Sequence, residues 1–202
     1  HAVAWCRGEI FEGRMLALFG ASVVALAFIF GKLGTTPSAR AMFWPLLVVG
    51  VVALVFSWAG DLLLTFTARA AFLGGLVTFL LGHVAYSVAF GILGTNALTT
   101  AIVGIVMAFA GLLVWKWLAA HVGDMACAVV AYIVVITVMA VMACAAFGAG
   151  ATILIPTGAV PFSTSDIAVA QNQFVAPGVM TRVRGLPLYY LAQVLLAATA
   201  GG

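Results

Sequence analysis

Five acidic residues occur in the chain, and two of them, Asp61 and Asp166, lie within apolar runs. Glu9, Glu12 and Asp124 fall in tail or loop sequence, where a solvated charge needs no explanation. An ionisable group inside the hydrocarbon of a membrane costs about 2.5–3.5 kcal/mol, so it is kept where the interior of a helix bundle rewards it. One buried aspartate can serve as a hydrogen-bond anchor between helices. Two at one depth can hold or relay protons, which is the chemistry of general acid–base catalysis and of proton-coupled transport.

The two carboxylates sit in related surroundings. In FSWAGDLLLTF, residues 56–66, Phe56-Ser57 precede Asp61; in PFSTSDIAVAQNQF, residues 161–174, Phe162-Ser163 precede Asp166, with Ser165 beside it. Each is followed by a second apolar run carrying polar residues. GLVTFLLGHVAYSVAF places His83 and Tyr86 on one helical face, and GLPLYYLAQVLLA does the same for Tyr189 and Gln193 and for Tyr190 and Gln193. Gly75 precedes His83 by the same interval as Gly185 precedes Gln193, which reads as a weak internal repeat. Ser57 and Ser163 have a simpler alternative, since membrane-helix serines commonly bond their own helix carbonyls. His83 taken alone reads as a packing histidine.

The elements that must position these groups follow from composition. The chain is 202 residues long, 66% hydrophobic and 6% charged, with mean hydropathy +1.29. Soluble domains are about 25% charged, and repeated apolar stretches of about 20 residues are what membrane-spanning helices require. Charges, Gly/Pro/Thr clusters and aromatic belts divide the chain into seven expected helices at 15–31, 41–66, 71–92, 97–119, 125–148, 152–174 and 184–200. The expected fold is therefore an all-α polytopic membrane bundle. It forms a single domain over residues 1–202, with 1–14 a tail or the remnant of an earlier helix. Arg7, Arg14, Arg69, Lys116, Arg182 and Arg184 fall on one side of such a bundle, and Lys32 and Arg40 on the other. This bias puts the first side in the cytoplasm and the C-terminus outside. Asp61 and Asp166 then lie on parallel helices, each roughly 12 Å from its cytoplasmic end at the α-helical rise.

Several functions are excluded. The small, scattered net charge of +3 argues against nucleic acid. The seventh helix has no lysine for a retinal Schiff base, and no GxSxG elbow is present. A zinc hydrolase needs several converging histidines, and with His1 terminal and His121 in a loop only His83 remains. Cys6, Cys127 and Cys144 read as small buried hydrophobes.

Gly60-Asp61, Gly75-Leu76, His83 and Tyr86, Ser165-Asp166 with Ala170 and Phe174, and Tyr189-Tyr190 with Ala192-Gln193 together resemble the YhhN-like lysoplasmalogenase family of integral membrane enzymes. The resemblance runs from about residue 45 to the C-terminus. Members usually have eight helices, and the Lys-Pro pair that opens the second helix in many of them is absent from this chain. The resemblance implies hydrolysis of the vinyl ether bond of lysoplasmalogens to a fatty aldehyde and a glycerophospho-ethanolamine or -choline. It places the protein in the membrane as a multi-pass chain, in a bacterial inner or cell membrane. Asp61 and Asp166 would form the acid/base pair, with either one as the acid. Ser57, His83, Tyr86, Ser163, Ser165, Tyr189, Tyr190 and Gln193 would orient them, hold water or bind the headgroup. No metal or organic cofactor is required. The expected partners are a lysophospholipid substrate and membrane lipids, with the oligomeric state open. A proton-coupled lipid or small-molecule transporter is the principal alternative, and a scaffolding membrane protein the third.

Overall fold

The computed structural model describes residues 37–64, 66, 68–176 and 178–199, so the expected helix at 15–31 and the tail before it lie outside the described residues. Six α-helices follow one another: α1 (Pro37–Leu64), α2 (Arg69–Ile92), α3 (Ala97–Leu118), α4 (Ala126–Gly148), α5 (Leu154–Ala170) and α6 (Val179–Thr199). A short 3₁₀ turn, Gly123–Met125, precedes α4, and a π turn, Gln171–Val175, extends α5. These six match the sequence expectation closely. Among the described residues, three segments are long and apolar enough to cross a membrane: Arg69–Ile92, Ala97–Leu118 and Gly123–Gly148.

Local chemistry sets the boundaries. Asn96 caps α3 by accepting from the Thr99 amide at 3.0 Å, as a β-region Asn at an N-cap does. Gly94 and Gly150 turn the chain after α2 and α4 in the left-handed region, at φ of 101° and 102°, where a side chain would be strained. The last linker is shorter than its charges suggest. The stretch VAPGVMTRVRG reads as a loop, yet α6 begins at Val179 and takes Arg184 into its helix. Helical hydrogen bonding continues past the apolar run that marks the helix in sequence.

Packing is hierarchical. The α1–α2 and α5–α6 pairs make the most extensive contacts, and α4 lies between α2, α3 and α5. The two antiparallel pairs meet in the same way. A side chain at Gly75 would strike Leu64 and come within 3.3 Å of the Gly60 carbonyl, and one at Gly185 would strike Ala168 and come within 3.7 Å of the Ser165 carbonyl. In each pair the glycine therefore sits against the residue just before the aspartate, so the repeated interval in the sequence is a repeated packing. The core gathers Phe79, Tyr86, Phe90, Met139, Phe162, Tyr189 and Leu196 around the polar residues. The outer face of α3 is bare, with Ile105 74% and Phe109 63% exposed, an apolar surface suited to lipid.

The cations whose side chains are described lie at one end of the bundle. Arg69 opens α2, Lys116 lies in the last turn of α3, and Arg184 is near the start of α6. Arg69 reaches Asp124 at 3.7 Å, joining the α1–α2 and α3–α4 connections at that end. Two expectations need correction. Asp61 lies three residues before the end of α1, about 4.5 Å rather than 12 Å, whereas helical backbone runs nine residues on from Asp166 to Val175, in keeping with its expected place. The α1 helix ends at Leu64, and Arg69 opens the next helix. Cys127 is exposed on the first turn of α4 and Cys144 half-buried, so Cys127 is not a core residue; Cys6 lies outside the described residues.

Candidate active site

His83 sits at the centre of the bundle on α2, fully buried. Its Nδ1 is 2.7 Å from the Phe79 carbonyl oxygen, one helical turn earlier. A carbonyl can only accept, so Nδ1 carries a hydrogen. Its Nε2 is 3.0 Å from Asp166 Oδ2 on α5. With Nδ1 occupied, a neutral imidazole has only a lone pair to offer there, and a carboxylate would oppose it with another. The contact therefore contains one proton. It is either an imidazolium facing a carboxylate or an imidazole accepting from a carboxylic acid. Asp166, itself 8% exposed, also accepts from the Tyr132 hydroxyl through Oδ1 at 3.2 Å. The imidazole is held in place by rings, with Phe162 at 4.6 Å and Tyr132 edge-on at 5.6 Å.

Asp61 approaches from α1. Its charge acts on the phenols of Tyr132 and Tyr189, and that of Asp166 acts on Tyr132 as well. Tyr132 thus feels both carboxylates and hydrogen-bonds to Asp166. The Tyr189 hydroxyl lies close to Asp61 and to the Gln193 amide but outside hydrogen-bond geometry with either. Tyr86 donates to Gln193 Oε1 at 2.9 Å, tying α2 to α6 across the core.

Beside Asp166 opens an apolar cavity of about 120 Å³ between α3 and the α2, α4 and α5 helices. Leu76, Phe79, Met107, Gly111, Ile136 and Ile167 are among its walls, and Asp166, Tyr132, Ser163 and Thr137 supply its polar atoms.

The model of the YhhN family matches residues 18–200. The chain belongs to the YhhN family. Lysoplasmalogenase TMEM86A of Bos taurus is 30% identical over 194 residues, covering 93% of this chain and 76% of the relative. Its counterpart of the same name in Homo sapiens is 32% identical over 194 residues, with the same coverage. No solved structure matches. A membrane protein with hydrolase relatives is what these similarities support.

In this YhhN-family chain the residues singled out from sequence mostly converge. His83 and Asp166 touch, Tyr86 and Gln193 touch, and Tyr189 stacks edge-to-face on Phe79 at 6.1 Å near Asp61. Tyr190 lies against the Tyr189 ring at 5.6 Å on the edge of the core. Ser57 and Ser165 are buried. Ser163 takes the simpler of its two roles, donating to the Ala159 carbonyl at 3.0 Å, although it also borders the cavity. Tyr132 was not singled out. Its only sequence signal is that it is the one tyrosine in the otherwise apolar α4 stretch, ACAVVAYIVVITVMAVMACAAFG.

Proposed function

We propose that this chain hydrolyses the vinyl ether bond of lysoplasmalogens, with Asp166 as general acid and Asp61 as the base that activates water. The observation that carries this reading is the 3.0 Å contact of His83 Nε2 with Asp166 Oδ2, with Nδ1 already bonded to the Phe79 carbonyl, on the wall of an apolar cavity. Cleavage of a vinyl ether begins with protonation of the alkene carbon distal to oxygen. That step needs an acid whose proton is retained near neutral pH and whose substrate contact is dry.

The alkyl chain occupies the cavity, which brings the first carbons of the chain against Asp166. The proton passes from the carboxyl to carbon, and the O–H of Tyr132 stabilises the carboxylate left behind. The substrate becomes an oxocarbenium ion, a cation flanked by two carboxylates, as in glycoside hydrolysis. Water adds to the cationic carbon and gives a proton to Asp61. The hemiacetal then collapses to aldehyde and glycerophospho-alcohol, and the proton lost from water restores the His83–Asp166 pair. One water is consumed and no net proton. The sequence left open which aspartate is the acid; contact with both the imidazole and the cavity favours Asp166.

The protein is read as multi-pass, with the Arg69, Lys116 and Arg184 end in the cytoplasm and the end of α6 outside. A lysolipid would enter from the cytoplasmic leaflet, since Asp61 lies about 4.5 Å from the end of α1 there.

The test is aldehyde release from a purified chain given a lysoplasmalogen, beside Asp61→Asn and Asp166→Asn. The expected outcome is hydrolysis by the parent and loss in both variants, by about 10²-fold or more for each proton-transfer group removed. Full activity in either variant overturns the assignment. Proton-dependent lipid flux in vesicles without aldehyde would identify a transporter instead.

A further inference from the structure

Hydroxyl groups on these helices ordinarily return to their own backbone. Thr78, Ser87, Thr157, Ser163 and Thr164 all donate to a carbonyl one turn earlier. Ser57 does not. Among the described residues its Oγ is buried without a hydrogen-bond partner, and the same is true of the Tyr189 hydroxyl and Gln193 Nε2. These residues are 1%, 5% and 1% exposed. Three buried donors left unbonded are unusual in one small domain, because each would carry the full cost of its desolvation.

They share a neighbourhood. Ser57 is one helical turn before Asp61 on the same face of α1, and Gln193 is one turn after Tyr189 on α6. Tyr189 lies close to both Asp61 and the Gln193 amide. The acceptor end of that amide is already committed to Tyr86, which turns its two N–H bonds away from Tyr86. The arrangement offers donors from Ser57, Tyr189 and Gln193 and one anionic acceptor, Asp61. A molecule that accepts from the donors and gives a hydrogen to the carboxylate must be hydroxylic. None of Ser57, Tyr189 and Gln193 lines the apolar cavity, so the site is separate from the space for the alkyl chain. It adjoins that space, because Leu64 and Phe79 of the cavity wall flank Asp61: Leu64 follows it by three residues, and the Phe79 ring lies against Gly60.

We infer that Ser57, Tyr189 and Gln193 form a water-sized hydroxyl site that positions the hydrolytic water on Asp61, on the opposite side of the reacting carbon from Asp166. This rests on the hydrolase reading above. Buried waters typically make about three hydrogen bonds to otherwise unsatisfied groups; one given to Asp61 and one accepted from these donors leave the water a lone pair for the cationic carbon. The step is addition: the water oxygen forms a bond to the oxocarbenium carbon, its proton passes to Asp61, and no other bond breaks until the hemiacetal collapses.

A site that selects a nucleophile by size can be tested by offering a larger one. In dilute methanol, capture of the oxocarbenium ion by methanol gives a mixed methyl acetal in place of aldehyde, and the ratio of the two is read by mass spectrometry. The parent chain is expected to give almost only aldehyde. Ser57→Ala and Gln193→Leu each enlarge or unlace the site; both are expected to lower kcat about tenfold with KM within about twofold, and to raise the acetal fraction several-fold. Ser57→Ala deletes one oxygen and carries the test if Gln193→Leu does not fold. Aldehyde from the parent with an unchanged acetal fraction in folded Ser57→Ala overturns the site alone. No aldehyde from the parent overturns the hydrolase reading, and the assignment of water as nucleophile with it.

Discussion

Replacing His83 by glutamine separates the two things the imidazole does. The Gln amide nitrogen can reach roughly the place of Nε2 and donate to Asp166, but an amide cannot share or return a proton. His83 is fully buried against Phe162 and Tyr132, with its Nε2 3.0 Å from Asp166. Removing one partner of this buried contact outright, as in His83→Leu, leaves a carboxyl oxygen of Asp166 unsatisfied and opens a void, and costs about 3 kcal/mol. His83→Gln keeps a hydrogen bond to the carboxyl and forfeits the one to the Phe79 carbonyl, a net loss of about 1 kcal/mol. The catalytic consequence runs the other way in proportion. Loss of a positioned proton-transfer group lowers the rate about 10²–10⁴-fold, or roughly 3–5 kcal/mol in barrier. His83→Gln is therefore expected to unfold within a few degrees of the parent while releasing aldehyde at least 10²-fold more slowly, and His83→Leu to lose both stability and rate. Thermal unfolding in detergent and single-turnover aldehyde release measure the two quantities. If His83→Gln keeps its fold and a rate within about threefold of the parent, the shared proton is not the proton of the reaction.

Further outcomes follow from the same geometry. Tyr132→Phe keeps the ring against His83 but deletes the 3.2 Å bond to Asp166, and is expected to cost about 1.5 kcal/mol in transition-state stabilisation, about tenfold in kcat on the aldehyde assay. Gly111→Leu projects a side chain into the cavity past Thr137 and Ile133; long-chain substrates should lose kcat/KM while chains a few methylenes shorter are retained, read from a chain-length series. Gly158→Ala would place a methyl carbon 2.8 Å from Leu196 Cγ and 3.2 Å from its backbone nitrogen, an overpacking worth about 1–3 kcal/mol that lowers the melting temperature.

The helices were legible because hydropathy and the short polar connections mark them directly. All six described helices fall within a few residues of their expected places. What misled was charge: Arg69 and Arg184 read as loop, yet each lies within a helix, so the expected depth of Asp61 was too great. The site residues were legible by type, since a carboxyl, an imidazole or an amide stands out in an apolar run. Their partnerships were not. Asp166 was matched with Asp61 on depth, whereas its hydrogen bonds go to His83 and Tyr132 on two other helices. Spacing along one helix defines a face but not which distant helix meets it. A single tyrosine among valines and alanines, as at 132, differs little from an ordinary core aromatic.

The repeated packing at Gly75 and Gly185 bears on how this site came to hold two unlike carboxylates. The two helix pairs present equivalent positions to each other, and at the equivalent of His83 the second pair has Gln193. His83 crosses to the aspartate of the other pair, while Gln193 faces Asp61 by way of Tyr189. A symmetrical assembly would place an imidazole at both crossings and give both carboxyls the same partner. One substitution of an amide for an imidazole breaks that degeneracy, so that a nearly twofold scaffold surrounds its two carboxyls with different hydrogen-bonding groups.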